Sequence, residues 1–199
     1  SKKSANAIRP GTLYVVATPI GNRDDITLRA LTILREVDLI AAEDTRKTRR
    51  FLEWHVIKNR LISYHEHNET ERTPKLIAQL KKGLSVALVS NAGTPTVSDP
   101  GYRLIAAALA SNLDVIPIPG VSAATAALSA AGLPTDSFVF MGFPAKKKKK
   151  RRQQLSDLAK EPRTIIFYES PKRVLTLLGE IKVAMGDRYL VLAREMTKR

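Results

Sequence analysis

The stretch Val86–Ala110, VALVSNAGTPTVSDPGYRLIAAALA, decides the fold. Its first four residues form a continuous apolar run, as expected of a strand covered on both faces. From Tyr102 onward, apolar residues recur at helical spacing. Between them, in Ser90–Gly101, Gly93, Pro95, Pro100 and Gly101 impose an irregular backbone directly after the buried strand. Strand, shaped loop and helix in that order make half of a βαβ unit.

Outward from this stretch the alternation repeats. Toward the N-terminus, strands are expected over Thr12–Ala17, Val37–Ala42 and Arg60–Tyr64. Helices are expected over Asp25–Arg35, with Asp24 or Asp25 as cap, over Asp44–Trp54, and over Pro74–Leu80 with Gly83 as the stop. A fifth strand follows at Val115–Ile118. Beyond it come a small-residue helix over Val121–Ala131, strands at Phe138–Phe143, Thr164–Tyr168 and Tyr189–Ala193, and helices near Arg151–Lys160 and Lys172–Met185. The pattern predicts an α/β fold with a largely parallel sheet. A boundary around Pro117–Pro134 divides it into an N-terminal α/β domain over 11–119 and a C-terminal α/β domain over 120–199. The second is expected to be incomplete, because REMTKR follows an apolar strand with no closing element.

Charge narrows the function. Thirty-three Lys and Arg against nineteen Asp and Glu leave +14, and Lys146–Arg152 (KKKKKRR) holds seven of those cations. A dense cationic run is either a solvated loop or a polyanion contact, since release of counterions from phosphates favours binding. The run lies between two ordered-looking segments and the rest of the chain still carries +7, so a nucleic-acid partner is expected. Cysteine is absent, which excludes disulfides and thiolate metal sites and fits a reducing cytoplasmic setting. No apolar stretch reaches the roughly 18 residues needed to span a bilayer, so no membrane partner is expected.

In an open α/β sheet, ligands bind beyond the carboxyl ends of the strands. Those ends carry Thr18–Asn22, Glu43–Arg46, His65–Glu69, Ser90–Gly101 and Pro119–Ser122, all polar or shaped by Gly and Pro. The opposite ends are ordinary turns. No GxGxxG follows the first strand and no GxxxxGK[ST] exists, which disfavours dinucleotide and P-loop chemistry. His65 and His67 invite a metal reading, but no third ligand is identifiable, so no metal is expected. Taken alone, the Ser90–Gly101 loop is either a rigid turn or a ligand cradle.

Seven segments then occur in an order that is similar to one known family: VATPIGNRDDITLRAL (Val16–Leu31), LIAAEDTRKTRR (Leu39–Arg50), YHEHNE (Tyr64–Glu69), VSNAGTPTVSDPGYRL (Val89–Leu104), PIPGVSAATAALSAAGLPTD (Pro117–Asp136), FYESPKR (Phe167–Arg173) and LAREMTK (Leu192–Lys198). Together they resemble the tetrapyrrole methylase superfamily, in its branch acting on small-subunit ribosomal RNA, over Gly11–Lys198. The resemblance implies two α/β domains with an S-adenosylmethionine cleft between them, homodimers, and methylation of the ribose 2′-hydroxyl of a cytidine in the decoding region. It implies cofactor contacts from Ile20, Asn91, Gly93, Thr94, Val97, Val121, Ser122, Tyr168 and Ala193. Asn91 stands where the family pattern carries Asp. Alternatives with shared features are a tetrapyrrole-precursor methylase and a non-catalytic basic ribosome-assembly factor.

A 2′-hydroxyl is a weak nucleophile, so a carboxylate near it is expected to take its proton. Among Glu43, Asp44, Glu69 and Asp99, the favoured candidates are Asp44 and Glu69, with Asp99 read as a helix cap. Arg46, Arg49 and Arg50, together with Lys146, Lys147, Lys148, Lys149, Lys150, Arg151 and Arg152, are the expected RNA contacts.

Overall fold

In a computed structural model, residues 8–198 are described, and the chain divides into two compact units, the second being Ala124–Met196 and the first taking the residues up to Ala123 together with Thr197 and Lys198. The first contains β1 (Leu13–Val16), α1 (Leu28–Glu36), β2 (Leu39–Ala42), α2 (Thr45–Trp54), β3 (Leu61–Ser63), α3 (Glu69–Lys81), β4 (Val86–Val89), α4 (Tyr102–Ala110) and β5 (Val115–Ile118). Its five strands are all parallel, in the order β3-β2-β4-β1-β5.

Every residue of β1, β2 and β4 is buried, because alternate side chains supply two cores. Tyr14, Val16, Ile40, Ala42, Ala87 and Val89 pack with Ala30, Ile33 and Leu34 of α1 and Leu52 of α2 on one face. Leu13, Leu39, Ala41, Val86 and Leu88 pack with Leu76 and Leu80 of α3 and Leu104 and Ala108 of α4 on the other. Helices on both faces of a parallel sheet explain why these strands read as unbroken apolar runs.

Two helix starts differ from expectation. The cap of α1 is Thr27, whose side chain accepts from the Ala30 N–H at 3.0 Å, so Asp24 and Asp25 stay in the preceding turn. Helix α3 begins at Glu69 and runs through Pro74. Proline removes one helical hydrogen bond, but the early turns are fixed by tertiary contacts. Thr73 is buried with its Oγ1 2.9 Å from the Tyr64 hydroxyl, and Leu76 enters the core.

The second unit follows α5 (Ala123–Ala130) with β6 (Phe138–Gly142), α6 (Lys148–Asp157), β7 (Thr164–Phe167) and α7 (Val174–Met185). Strands β6 and β7 pair in parallel, with α6 between them in sequence as the crossover. The expected strand at Tyr189–Ala193 does not form: the segment has no ladder partner and Tyr189 and Leu192 are exposed. An extended run becomes a strand only when a neighbour accepts its N–H groups. Among the described residues, no helix is long and apolar enough to cross a membrane.

Candidate functional site

The carboxyl edge of the five-stranded sheet is tied together by backbone atoms. Thr18, just past β1, and Gly93, in the loop after β4, exchange two hydrogen bonds, N–H to O at 2.9 and 2.8 Å. The Thr18 hydroxyl donates to the Ser90 carbonyl at 3.3 Å, and the Thr94 hydroxyl donates to the Val121 carbonyl at 3.1 Å. Gly120 approaches so closely that a Cβ there would lie 2.8 Å from the Cβ of Ala17. The loops after β1, β4 and β5 therefore form one rigid assembly.

The loop after β4 is held in backbone conformations that side chains disfavour. Gly93 has φ +76°, Thr96 +72°, Ser98 +63° and Gly101 +132°. Left-handed backbone at a β-branched threonine is strained and persists only where surrounding structure imposes it. A Cβ on Gly101 would sit 2.7 Å from Leu88 Cδ2, so glycine is required there.

This assembly gathers several residues expected at a cofactor site. Ile20 lies beside Gly93, with its Cγ2 3.5 Å from where a Gly93 Cβ would stand, and the Val121 carbonyl is 3.7 Å from the same point. Thr94 joins them through Val121, with Ser122 next in the chain, and Val97 is partly exposed on the loop. A bare Cα between the Ile20 side chain and the Val121 carbonyl leaves a ligand room to approach the main chain. In the second unit, the Tyr168 hydroxyl accepts from the Ala124 N–H at 3.0 Å, and its ring meets Phe140 and Phe143 edge-on. Ala193 is exposed in the segment that lacks a strand partner.

The acidic residues divide by environment. Asp44 is the N-cap of α2, accepting from the N–H groups of Arg46 (2.9 Å) and Lys47 (3.3 Å). Those bonds hold its carboxyl below the usual range. Glu69 opens α3 and pairs with Arg103 at 3.2 Å. Glu43 accepts from the Asn91 N–H at 3.0 Å, so Asn91 is engaged through its backbone. Asp99 is not a cap, because Gly101 fills that position with no side-chain bond. It is pushed up to about 6 by burial and by the nearby Glu43 charge, against the lowering effect of the Ser90 hydroxyl.

The cations also divide. Arg46, Arg49 and Arg50 are exposed on α2, and Lys146, Lys147, Lys148, Lys149, Lys150 and Arg152 are exposed at the start of α6. Arg151 departs from expectation. Its guanidinium turns inward onto Glu180 and also donates to the carbonyls of Ala145 (3.1 Å) and Lys146 (3.0 Å), which leaves no fork for a phosphate. Among the described residues, no three His, Cys, Asp or Glu side chains gather as a metal site. The HEHNE segment instead closes on itself, with Asn68 accepting from the His65 N–H at 2.8 Å and donating to Ser63.

Sequence reading missed one further feature. A cavity of about 260 Å³ opens between the β1 loop, α2 and the β4 loop, lined by Ile20, Arg23, Lys47, Phe51 and Asn91 among others. Arg23 reaches it while stacked on Trp54, 4.2 Å from the ring centroid. No local pattern connects those two residues.

Comparison with known proteins agrees with this architecture. The family described as Tetrapyrrole (Corrin/Porphyrin) Methylases matches residues 12–199. Proteins named "Ribosomal RNA small subunit methyltransferase I" are similar over most of the chain. The Synechocystis sp. protein is 53% identical over 189 residues, covering 94% of this chain and 68% of its own length. That of Halalkalibacterium halodurans is 50% identical over 188 residues, covering 94% and 65%. This chain thus spans about two thirds of the length of the curated relatives it matches. Among solved structures, uroporphyrin-III C-methyltransferase from Thermus thermophilus superimposes with a TM-score of 0.60 at 23% identity, over 90% of this chain and 74% of that one. Cobalt precorrin-4 methyltransferase gives 0.63 at 18%, over 87% and 75%. At such identities the likeness concerns the fold. With the family match running through both units and half of the residues shared with its relatives, the chain belongs to the tetrapyrrole (corrin/porphyrin) methylase family, on the side of ribosomal RNA small subunit methyltransferase I.

Proposed function

We propose that this chain carries the methyl-donor site and RNA-binding surface of an S-adenosylmethionine-dependent methyltransferase of small-subunit rRNA. Its product would be a cytidine in the decoding region methylated on the ribose 2′-oxygen. The observation that carries the reading is the backbone assembly of Thr18, Gly93, Thr94 and Val121 at the carboxyl edge of a parallel sheet. The shared name of the relatives at about half identity supports rRNA as the substrate class. So do the exposed cations of α2 and α6.

S-adenosylmethionine supplies an electrophilic methyl group when bound. Ile20, Asn91, Gly93, Thr94, Val97, Val121, Ser122, Tyr168 and Ala193 are the proposed contacts to it. The protein's part is positioning, since aligning the ribose oxygen with the methyl carbon removes most of the entropic barrier. The clamp between Thr18 and Gly93 fixes one wall of that alignment. Proton removal falls to a carboxylate of this edge, Asp44 or Glu69, and the Asp99 carboxyl, pushed up to about 6 by burial, is a third candidate. Arg46, Arg49, Arg50, Lys146–Lys150 and Arg152 would meet phosphates. The enzyme is read as a cytoplasmic homodimer.

The test uses the full-length protein, labelled S-adenosylmethionine and small ribosomal subunits. Label on the ribose of one cytidine is expected. Transfer to base atoms, or to a tetrapyrrole precursor instead of rRNA, overturns the reading. Absence of S-adenosylmethionine binding by calorimetry would make the protein a basic assembly factor instead.

A further inference from the structure

The cavity beside the β4 loop is assigned no role by the cofactor contacts, although Ile20 and Asn91 form one of its walls. Its other wall is α2, which contributes Lys47, Thr48 and Phe51. At about 260 Å³ it lies just below the range of roughly 300–1,000 Å³ typical of small-molecule pockets. That size suits a single nucleoside rather than a macrocycle.

Two cations reach this cavity, Arg23 from the β1 loop and Lys47 from α2, and both are exposed. Among the described residues neither forms an ion pair with a carboxylate, whereas Arg46, Arg103, Arg151, Arg163 and Arg173 all do. Arg23 is nonetheless held in place. It sits over Trp54, the last residue of α2, with its guanidinium carbon 4.2 Å from the ring centroid. Trp54 is 60% exposed, so the stack stands in solvent and not in the core. A guanidinium presented on an aromatic face keeps its N–H edge free for a bidentate acceptor. Single-stranded nucleic acids are recognised by this combination of stacking surface and phosphate-binding cation.

We propose that this cavity seats the methyl-accepting nucleotide of single-stranded RNA. Arg23 and Lys47 bind a phosphate flanking that nucleotide, Phe51 forms the apolar wall, and Trp54 is a positioning residue that aims Arg23. The cavity shares Ile20 and Asn91 with the cofactor loop, which puts the acceptor ribose beside the methyl donor. The inference rests on the RNA reading given above, but it concerns a distinct set of residues.

Trp54 is the one tryptophan of the sequence, so intrinsic fluorescence reports on this site directly. Full-length protein is titrated with an unlabelled short oligocytidylate while tryptophan emission is followed, and with a dye-labelled copy while anisotropy is followed. The expected result is a saturable emission change with the same midpoint as the anisotropy curve. Arg23→Gln and Lys47→Gln should each weaken binding roughly tenfold and lower the salt slope by about one. If anisotropy shows binding while Trp54 emission stays constant and both variants bind like the parent, the pocket assignment is overturned and the RNA reading stands. If anisotropy shows no binding at all, the pocket assignment is overturned, and the rRNA reading is decided separately by the transfer assay on small subunits.

Discussion

Arg151 forks onto Glu180, with Nε 2.5 Å from Oε2 and Nη2 3.0 Å from Oε1, and both side chains are almost fully buried. A cation from the most basic segment of the chain is thus an interior strut joining α6 to α7. Removing one member of a buried pair leaves the other uncompensated, at a cost of about 3–5 kcal/mol. Glu180→Ala should therefore unfold the second unit at markedly lower urea, while Arg152→Gln, whose largely exposed side chain lies 3.7 Å from the same carboxylate, should shift the midpoint only slightly. The Arg151 hydrogen bonds hold the Glu180 carboxyl below its ordinary range. Its stabilising contribution is present above the ordinary carboxylate pKa and is lost as pH falls through the lowered folded value.

Lys148, Lys149 and Lys150 sit in the first turn of α6 with no side-chain cap on that helix. Cations at a helix N-terminus oppose the macrodipole, so their placement disfavours folding slightly. Replacing all three by Gln should leave thermal stability equal or slightly higher. RNA affinity should nevertheless drop, with a log–log salt slope shallower by about three. An unchanged slope would mean that these lysines do not touch phosphates.

Asp99 gives a pH signature of opposite sign to Glu180. Its folded pKa of about 6 lies above the unfolded value, so its contribution to stability is complete below the ordinary carboxylate range and is lost as pH rises through 6. Asp99→Asn, uncharged throughout, should be more stable than the parent near pH 8, by at most about 3 kcal/mol and less where solvent screens the half-buried charge. The two proteins should converge below about pH 4. Denaturant midpoints across that range provide the check, and a constant offset would contradict the buried-charge account.

Asp44 separates a cap from a base. Asparagine caps helices as well as aspartate does. Asp44→Asn should therefore preserve stability, whereas Asp44→Ala should lower it. Methyl transfer by the Asn variant then reports on proton removal alone: a collapse in kcat at unchanged stability assigns the base, and retained kcat passes the role to Glu69 or Asp99.

Gly101→Ala meets both a positive φ and the Leu88 side chain, and should destabilise the first unit by roughly 1–3 kcal/mol. Gly93→Ala meets ordinary contact distances but must adopt φ +76°, so a conformational cost of about 1 kcal/mol is expected, with a loss of S-adenosylmethionine affinity beyond it measured by calorimetry. Equal affinity in the Gly93 variant would argue that the ligand does not approach that Cα.

The sequence by itself determined the alternation of elements, and it placed β4, α4 and β5 at their observed bounds. Those segments carry strong apolar periodicity bounded by Gly and Pro, which is information held within a few neighbouring residues. It also singled out the carboxyl edge as the candidate site, because loops after parallel strands are forced to one side of a doubly wound sheet. What the tertiary structure decided were matters of partnership between distant residues. Tyr64 and Leu76 kept α3 helical through Pro74, and Glu180 drew Arg151 inward. Lack of a ladder neighbour left Tyr189–Ala193 without strand structure. Arg23 met Trp54 only because the β1 loop and the end of α2 share one rim. Periodicity reports which face of a segment is apolar. Only the packed chain determines which charge, hydroxyl or backbone group that face meets, because burial energy depends on the partner as much as on the residue.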